Sequence, residues 1–294
     1  HFRTYGLKNM NFGGEQCVMF DQLDPKAGMR YKMVYSCMQP MNGICFATSE
    51  NGIQWTDHGL KVALGTYASD TQSCLYYDRT GDRYELLTRK EYPDQESPRA
   101  TRGAALLRVS RGMLRAKLEE EGAMIPFKEK LSWDLTRFGT IERYRRQIYA
   151  MTRTWHEGIF FSFIHLFEWP ISYVGCPNMT KFECNKKQQN RLEQKVSRPD
   201  TVLPYLATSR DGVHYNFQWV YSETPLQLGQ KPGDGFVIPA SQMLTLGRYH
   251  HIIYSRNPSS HRERWSTQEE IHLAKFKTNR MVGLEVGHPH GQGQ

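Results

Sequence analysis

The chain of 294 residues lacks several features that would assign it to a functional class. It contains no GxSxG motif, no Walker phosphate-binding loop, no dinucleotide-binding glycine pattern and no HExxH zinc motif. No apolar run reaches the roughly 20 residues that a membrane-spanning helix needs. The sequence also has no recognition helix, zinc finger or ribonucleoprotein motif. These absences argue against a nucleotide-dependent enzyme, a zinc protease, a helical membrane span in these residues and a nucleic-acid partner.

Helical periodicity is scarce as well. Residues 111–122 are the one stretch whose apolar side chains, Met113, Leu114 and Leu118, would share one side of a short helix. Elsewhere, short runs of Val, Ile, Tyr and Phe alternate with a period near two and are separated by Gly, Asn, Asp and Pro. The sequence therefore predicts an all-β protein, with 111–122 as its one short helix.

The chain does contain an internal repeat of an apolar strand, a turn and a second strand rich in aromatic and β-branched residues. The repeat occurs in four units, at residues 14–55, 70–114, 145–215 and 235–287. The first and third units share nearly the same turn, ATSENGIQW at 47–55 and ATSRDGVHY at 207–215. Its Gly supplies a backbone conformation that most residues resist, and its aromatic residue can cover the edge of the next sheet. We interpret these turns as structural.

Units of three to four strands in series favour radial or linear stacking, because one such sheet cannot bury both of its faces alone. We therefore predict a β-propeller, with a β-sandwich as the alternative. Four blades are readable, within a single domain at 1–294 that carries an insertion at 170–198 in the third blade. The start at His1, without Met, suggests processing or truncation of a longer chain.

Several segments together resemble a known group of proteins. They are RYKMVY with ATSENGIQW, SDTQSCLYYD, LATSRDGVHY and the closing GLEVG. These segments are similar to the five-bladed β-propellers of glycoside hydrolase families 32 and 43, a group that includes hydrolase-like proteins of unproven activity. The resemblance covers roughly residues 14 to 287. It implies a fifth blade, formed by the chain ends, by the insertion or by chain outside this sequence.

The six cysteines bear on the compartment of the protein. Three disulfides are predicted, namely Cys37 with Cys45, Cys176 with Cys184, and Cys17 with Cys74. Reduced, buried thiols are the alternative for Cys17 and Cys74. The loop between Cys176 and Cys184 also carries Asn178 in an N-glycosylation sequon. A disulfide and a sequon in one surface loop favour a secreted, extracellular glycoprotein.

The chain is basic, with a formal net charge of +8 and a pI near 9.1. A cluster of Lys and Arg between 186 and 198 is interpreted as a solvated face. A second cluster, which includes Arg143 and Arg145, opens an inner strand and could attract carboxylated or sulfated sugars. Together with Glu15, which precedes the first inner strand, Arg143 and Arg145 are the predicted substrate-binding residues.

Glycoside hydrolysis usually needs two carboxylates, and the resemblance implies a third that orients the sugar. By position in the repeat, the candidates are Asp70 as nucleophile or base, Glu142 as general acid and Asp234 as the orienting group. Each has a structural alternative as a turn-forming or strand-capping acid. The Asn-Asp-Pro-Asn-Gly stretch that carries the family 32 nucleophile is absent from this sequence, which weighs against hydrolysis.

Two functions from different classes remain open. The favoured one is a non-catalytic glycan-binding or structural protein of the extracellular space, which could belong to an oligomeric assembly. The alternative is an active glycosidase that cleaves a fructoside or arabinoside type of bond. Indoles outside the repeat, such as Trp155, are candidate platforms for sugar rings. No cofactor is predicted except a possible axial Ca²⁺, which carboxylate and carbonyl oxygens could hold.

Overall fold

The structure is a computed structural model. It describes residues 16–37, 43–63, 67–68, 72–92, 101–133, 135, 146–168, 200–229, 234–259, 269–278 and 280. The protein is all-β, as predicted, and its strands group into the four units that the repeat indicated. In the described part of the chain, no helix is long and apolar enough to cross a membrane.

The first unit is one antiparallel sheet whose strands pair in chain order. Its strands are β1 (Cys17–Phe20), β2 (Tyr31–Cys37), β3 (Gly43–Ser49) and β4 (Thr56–Ala63). The central strands β2 and β3 are buried on both faces, so their sequences are nearly continuous apolar and aromatic runs.

The second unit repeats this architecture. Its strands are β5 (Tyr67–Ala68), β6 (Cys74–Asp78), β7 (Arg83–Tyr92), β8 (Thr101–Ser110) and β9 (Lys128–Trp133). Strands β6 to β9 pair in chain order, and β5 also pairs with β7. The predicted helix is confirmed as α1 (Arg111–Glu119), which follows β8, and the Ser110 side chain caps it by accepting from the Met113 N–H. Leu114 and Leu118 are buried, but Met113 is exposed, so its predicted place on the apolar side was wrong.

The third and fourth units form one continuous sheet. The third has β10 (Arg146–Met151), β11 (Thr154–His156), β12 (Ile159–Glu168) and β13 (Thr201–Ser209), followed by the helix α2 (Gln218–Tyr221). The fourth has β14 (Phe236–Pro239), β15 (Leu244–Leu246), β16 (Tyr249–Asn257) and β17 (Glu270–Lys277). A short parallel contact between β13 and β14, at Val202 and Phe236, joins the two units.

The two repeated turns have the same hydrogen bonds. The Ser49 hydroxyl accepts the backbone N–H groups of Asn51 and Gly52 at 3.2 and 2.9 Å, and the Asn51 side chain accepts the next two N–H groups at 2.9 Å each. Ser209 and Asp211 make the same four bonds at 3.2, 2.9, 2.8 and 2.8 Å. The structural interpretation of both turns is therefore confirmed.

Neighbouring units share apolar cores in chain order. Separate clusters lie between the first and second units, the second and third, and the third and fourth. Each cluster has members from both units, such as Val34 and Leu86 in the first, Leu106 and Ile164 in the second, and Phe163 and Val237 in the third. A two-layer sandwich has a single shared core, so this serial packing favours blades that stack one after another.

Gly212 provides a test of the repeated turn. Its φ is +69°, and an added Cβ would lie 3.2 Å from Arg153 Nη1 and from the Phe160 ring. Gly59 has a similar φ of +68° with no neighbour within 4 Å. We expect Gly59→Ala to lower the free energy of unfolding by about 1–2 kcal/mol, because of the backbone conformation alone. Gly212→Ala should lower it by more, because the added Cβ also crowds Arg153. Urea unfolding of both variants measures the difference, and equal losses would contradict the crowding.

The buried His165 on β12 should make the folding stability of the protein depend on pH. The ring is fully buried, neither nitrogen has a hydrogen-bond partner among the described residues, and burial lowers its pKa to about 3. The unfolded chain, in which the His pKa is about 6.5, therefore binds a proton that the folded chain does not. Stability from this residue is complete above about pH 6.5 and falls as the pH drops toward 3.

In His165→Phe this contribution disappears. Urea unfolding at neutral pH and at about pH 5 should show a smaller acid-induced loss for His165→Phe than for the wild type. Parallel losses in the two proteins would show that His165 does not resist protonation.

Candidate functional site

Most of the predicted acidic and basic site residues lie outside the described part of the chain. These residues are Asp70, Glu142, Glu15, Arg143 and Arg145. Their proposed roles stay predictions.

Asp234 is described and lies two residues ahead of the start of β14, where the repeat placed it. The residue is buried, and its carboxylate forms an ion pair with Arg256 on β16, with Nε 3.4 Å from Oδ2. Arg256 also pairs with Glu270, at 3.0 Å. The Asp234 carboxylate thus has an ion-pair partner within its own unit. This fits the structural alternative of a strand-capping acid.

Asp200 is a second buried acid, and it was not among the predicted site residues. It precedes Val202 by two residues, as Asp234 precedes Phe236, and Val202 and Phe236 are partners in the parallel contact of β13 with β14. Each acid therefore lies just ahead of one of two neighbouring strands. Only the parallel pairing of two strands from different units reveals this, and no local sequence pattern signals it.

The leading strands of the four units, β1, β6, β10 and β14, end at one pocket. This central pocket has a volume of about 320 Å³, and all four units contribute to its wall. Asp21 follows β1, Tyr76 lies on β6, Arg153 and Trp155 follow β10, and Gln242 follows β14. The pocket lies at the carboxyl ends of the leading strands, whereas the predicted acids precede the leading strands.

Beside this pocket, two thiols connect the units. Cys17 on β1 and Cys74 on β6 are buried and lie close to each other, and both lie near Ser241 of the fourth unit. Both are free, so the predicted Cys17–Cys74 disulfide is corrected: they pack in the apolar interior as reduced side chains. Burial raises the pKa of Cys74 well above its usual range, which keeps this thiol protonated.

The Cys37–Cys45 disulfide is confirmed, with a Cα–Cα distance of 5.6 Å across the paired strands β2 and β3. Cys176, Cys184 and the sequon at Asn178 lie outside the described residues and stay predictions.

Arg153 forms one buried wall of the central pocket. Its backbone N–H donates to the Tyr76 hydroxyl at 2.8 Å, and its guanidinium lies over the rings of Tyr76 and Phe160 at 4.8 and 5.2 Å. The guanidinium also pairs with the buried Glu85 carboxylate, which accepts from Arg108 Nε at 2.6 Å as well. Burial disfavours the charged form of Arg153, but Glu85 outweighs it and raises the Arg153 pKa.

Asp21 is the one carboxylate among the described residues that line the pocket. It accepts from the Tyr84 hydroxyl at 2.6 Å, from Arg111 Nη2 at 3.0 Å and from the Leu23 N–H at 3.0 Å. Burial alone would raise the Asp21 pKa, but these bonds outweigh burial and lower it. Asp21 therefore stays ionised and is neutralised by Arg111, so it is unsuited to donate a proton.

The chemistry available in the pocket follows from these pairs. Hydrolysis of a glycoside needs a proton donor and a second carboxylate across the scissile bond. The described wall offers one ionised and paired acid. In the described residues, no group of three or more His, Cys, Asp or Glu side chains could hold a metal ion, so they provide no such cluster for the axial Ca²⁺ considered from the sequence.

The pocket also exposes aromatic surface. Trp155 is 62% exposed and pairs across the β11–β12 hairpin with Phe160, another pocket residue. The hairpin tip is formed by Glu157 and Gly158, both with positive φ, which suits a tight two-residue turn. An exposed indole on a short, rigid hairpin is a suitable platform for the apolar face of a sugar ring.

No family model matches the chain, and no curated protein matches it. Several solved structures do match the chain. A glycoside hydrolase aligns with 96% of this chain and 76% of its own, at 10% identity and a TM-score of 0.51. An N-acetylgalactosamine deacetylase from F. plautii aligns with 90% of this chain and 66% of its own, at 10% identity and a TM-score of 0.50.

A Bombyx mori GH32 beta-fructofuranosidase aligns with 85% of this chain at 12% identity and a TM-score of 0.49. The chain spans 44% of the length of that enzyme. The structural matches confirm the predicted resemblance to hydrolase-like propellers, and at these identities they concern the fold alone.

Glu85 holds together the charged wall of the pocket, which makes it testable. Glu85→Gln keeps the shape of the side chain but leaves Arg153 and Arg108 without their buried counter-charge. We expect the free energy of unfolding to fall by about 3–5 kcal/mol. Glu119→Gln is the matched control, since Glu119 pairs with Lys26 at the exposed surface and should change stability little. Chemical denaturation compares the variants, and a loss no larger than that of the control would refute the role of Glu85.

Proposed function

We propose that this chain is a secreted, five-bladed propeller that binds glycan in the central pocket and does not hydrolyse it. The observation that carries the proposal is the convergence of four units on one pocket that combines an exposed indole, Trp155, with paired charges. Its volume of about 320 Å³ is at the lower end of the range for small-molecule sites, which fits one or two sugar rings.

Secretion is supported by the Cys37–Cys45 disulfide, because such bonds persist mainly in oxidising compartments. The predicted sequon at Asn178 points the same way. The fifth blade would lie between the fourth and first units and would close the ring that the serial packing begins. A carbohydrate ligand is supported by the F. plautii deacetylase, whose structure contains blood group B trisaccharide.

Hydrolysis at the opposite ends of the leading strands is the second candidate, with Asp70, Glu142 and Asp234 as its acids. The position of Asp234, two residues before β14, favours it. The ion pair of Asp234 with Arg256 weighs against it, since that carboxylate is already engaged within the unit.

The binding proposal is tested by substituting the indole. Trp155→Ala should weaken the affinity for neutral and acidic oligosaccharides about tenfold or more, because the sugar loses its stacking surface. Tyr221→Ala is the matched control, since Tyr221 is another exposed aromatic that does not line the pocket. Isothermal titration calorimetry measures both variants, and equal affinities for Trp155→Ala and the wild type would refute binding at this pocket.

The same oligosaccharides distinguish binding from hydrolysis. We expect no release of reducing sugar by the wild type over hours at several pH values. Release that is lost in Asp234→Asn would instead establish the glycosidase.

A further inference from the structure

Most of the polar and charged side chains that line the central pocket already have partners within the protein. Arg153 is paired with Glu85, and Asp21 is paired with Arg111, so neither has a free charge to offer a ligand. The hydroxyl groups of the tyrosines are also engaged, since that of Tyr76 accepts from Arg153 and that of Tyr77 donates to Asp82 at 2.6 Å. A ligand must therefore use other polar groups.

Arg79 is one such group. It lines the pocket, is exposed, and has no hydrogen bond or ion pair within the described residues. The neighbouring Asp78 cannot neutralise it fully, because that carboxylate pairs with Arg83 at 2.7 Å and accepts the N–H of Thr80 at 3.0 Å. These bonds also fix the turn whose backbone carries Arg79 at the pocket.

Two side-chain amides are also available, one from the first unit and one from the fourth. Gln22 and Gln242 line it, and neither has a hydrogen-bond partner among the described residues. Their backbones are anchored beside them, since the Leu23 N–H donates to Asp21 and the Met243 N–H donates to Thr154 at 3.0 Å. Each amide can donate and accept, which suits sugar hydroxyl groups.

We propose that the central pocket selects sugars that carry an anionic group, a carboxylate or a sulfate, which pairs with Arg79. This inference rests on the proposed glycan-binding function and names its ligand class. The guanidinium fork matches the paired oxygens of both anions, Gln22 and Gln242 hydrogen-bond to hydroxyl groups, and the ring stacks on Trp155. The net positive charge of the whole chain draws the same ligands toward the protein.

Three probes test the selection at low ionic strength: glucuronic acid, glucose 6-sulfate and glucose. Calorimetric titration of the wild type should give about tenfold or tighter binding for at least one anionic sugar than for glucose. In Arg79→Gln the ratio of the affinity for the preferred anionic sugar to the affinity for glucose should fall to about one. Arg79→Lys should retain part of the preference for the anionic sugar. Arg248→Gln is the control for net charge, since Arg248 is exposed and does not line the pocket.

Each result has a distinct meaning. A preference for glucuronic acid or for glucose 6-sulfate that depends on Arg79 supports the inference and identifies the anion. Equal binding of all three sugars, or a preference that survives in Arg79→Gln, overturns the selection while the glycan-binding function stands. Failure of every sugar to bind the wild type overturns both.

Discussion

The central pocket depends on contacts that hold the leading strands of separate units side by side. Cys17 of the first unit lies close to Cys74 of the second, and Ser241 of the fourth unit lies near both thiols. The hydrogen bond from the Arg153 N–H to the Tyr76 hydroxyl connects the third unit to the second. All of these residues except Ser241 and Tyr76 are fully or almost fully buried, so the contacts are shielded from competing water. Distant parts of the chain thereby share one wall.

Around these contacts, several charged side chains in the interior are paired with an opposite charge. Glu85 lies between Arg108 and Arg153, and Asp24 accepts from Lys32 at 2.8 Å in a buried site beside Asp21. Buried pairs of this kind add little net stability, but the loss of one partner is costly. In the pocket wall they leave Arg153 and Asp21 already paired, so Arg79 is the charged lining residue without a partner among the described residues.

Local sequence signals predicted much of the fold. Alternating apolar residues marked the strands, and the repeated Ser, Asn or Asp, and Gly predicted two turns with the same hydrogen bonds. The α1 helix and the Cys37–Cys45 disulfide also followed from short-range patterns. Each of these features is determined by residues close together in the chain.

The pocket could not be predicted in this way. Arg79, Arg153 and Gln242 come from three different units, and only the packing of those units brings them together. The same limit explains the error at Cys17 and Cys74: equivalent positions in the repeat predicted proximity correctly, but proximity does not decide whether two thiols are oxidised.

A crystal structure of the protein with bound glucuronic acid would locate the sugar without relying on any variant. We expect electron density for one sugar at the carboxyl ends of β1, β6, β10 and β14, with its ring on Trp155 and its carboxylate on Arg79. Density at the opposite ends of these strands, near Asp234, or leading strands that do not meet at one pocket, would contradict this expectation.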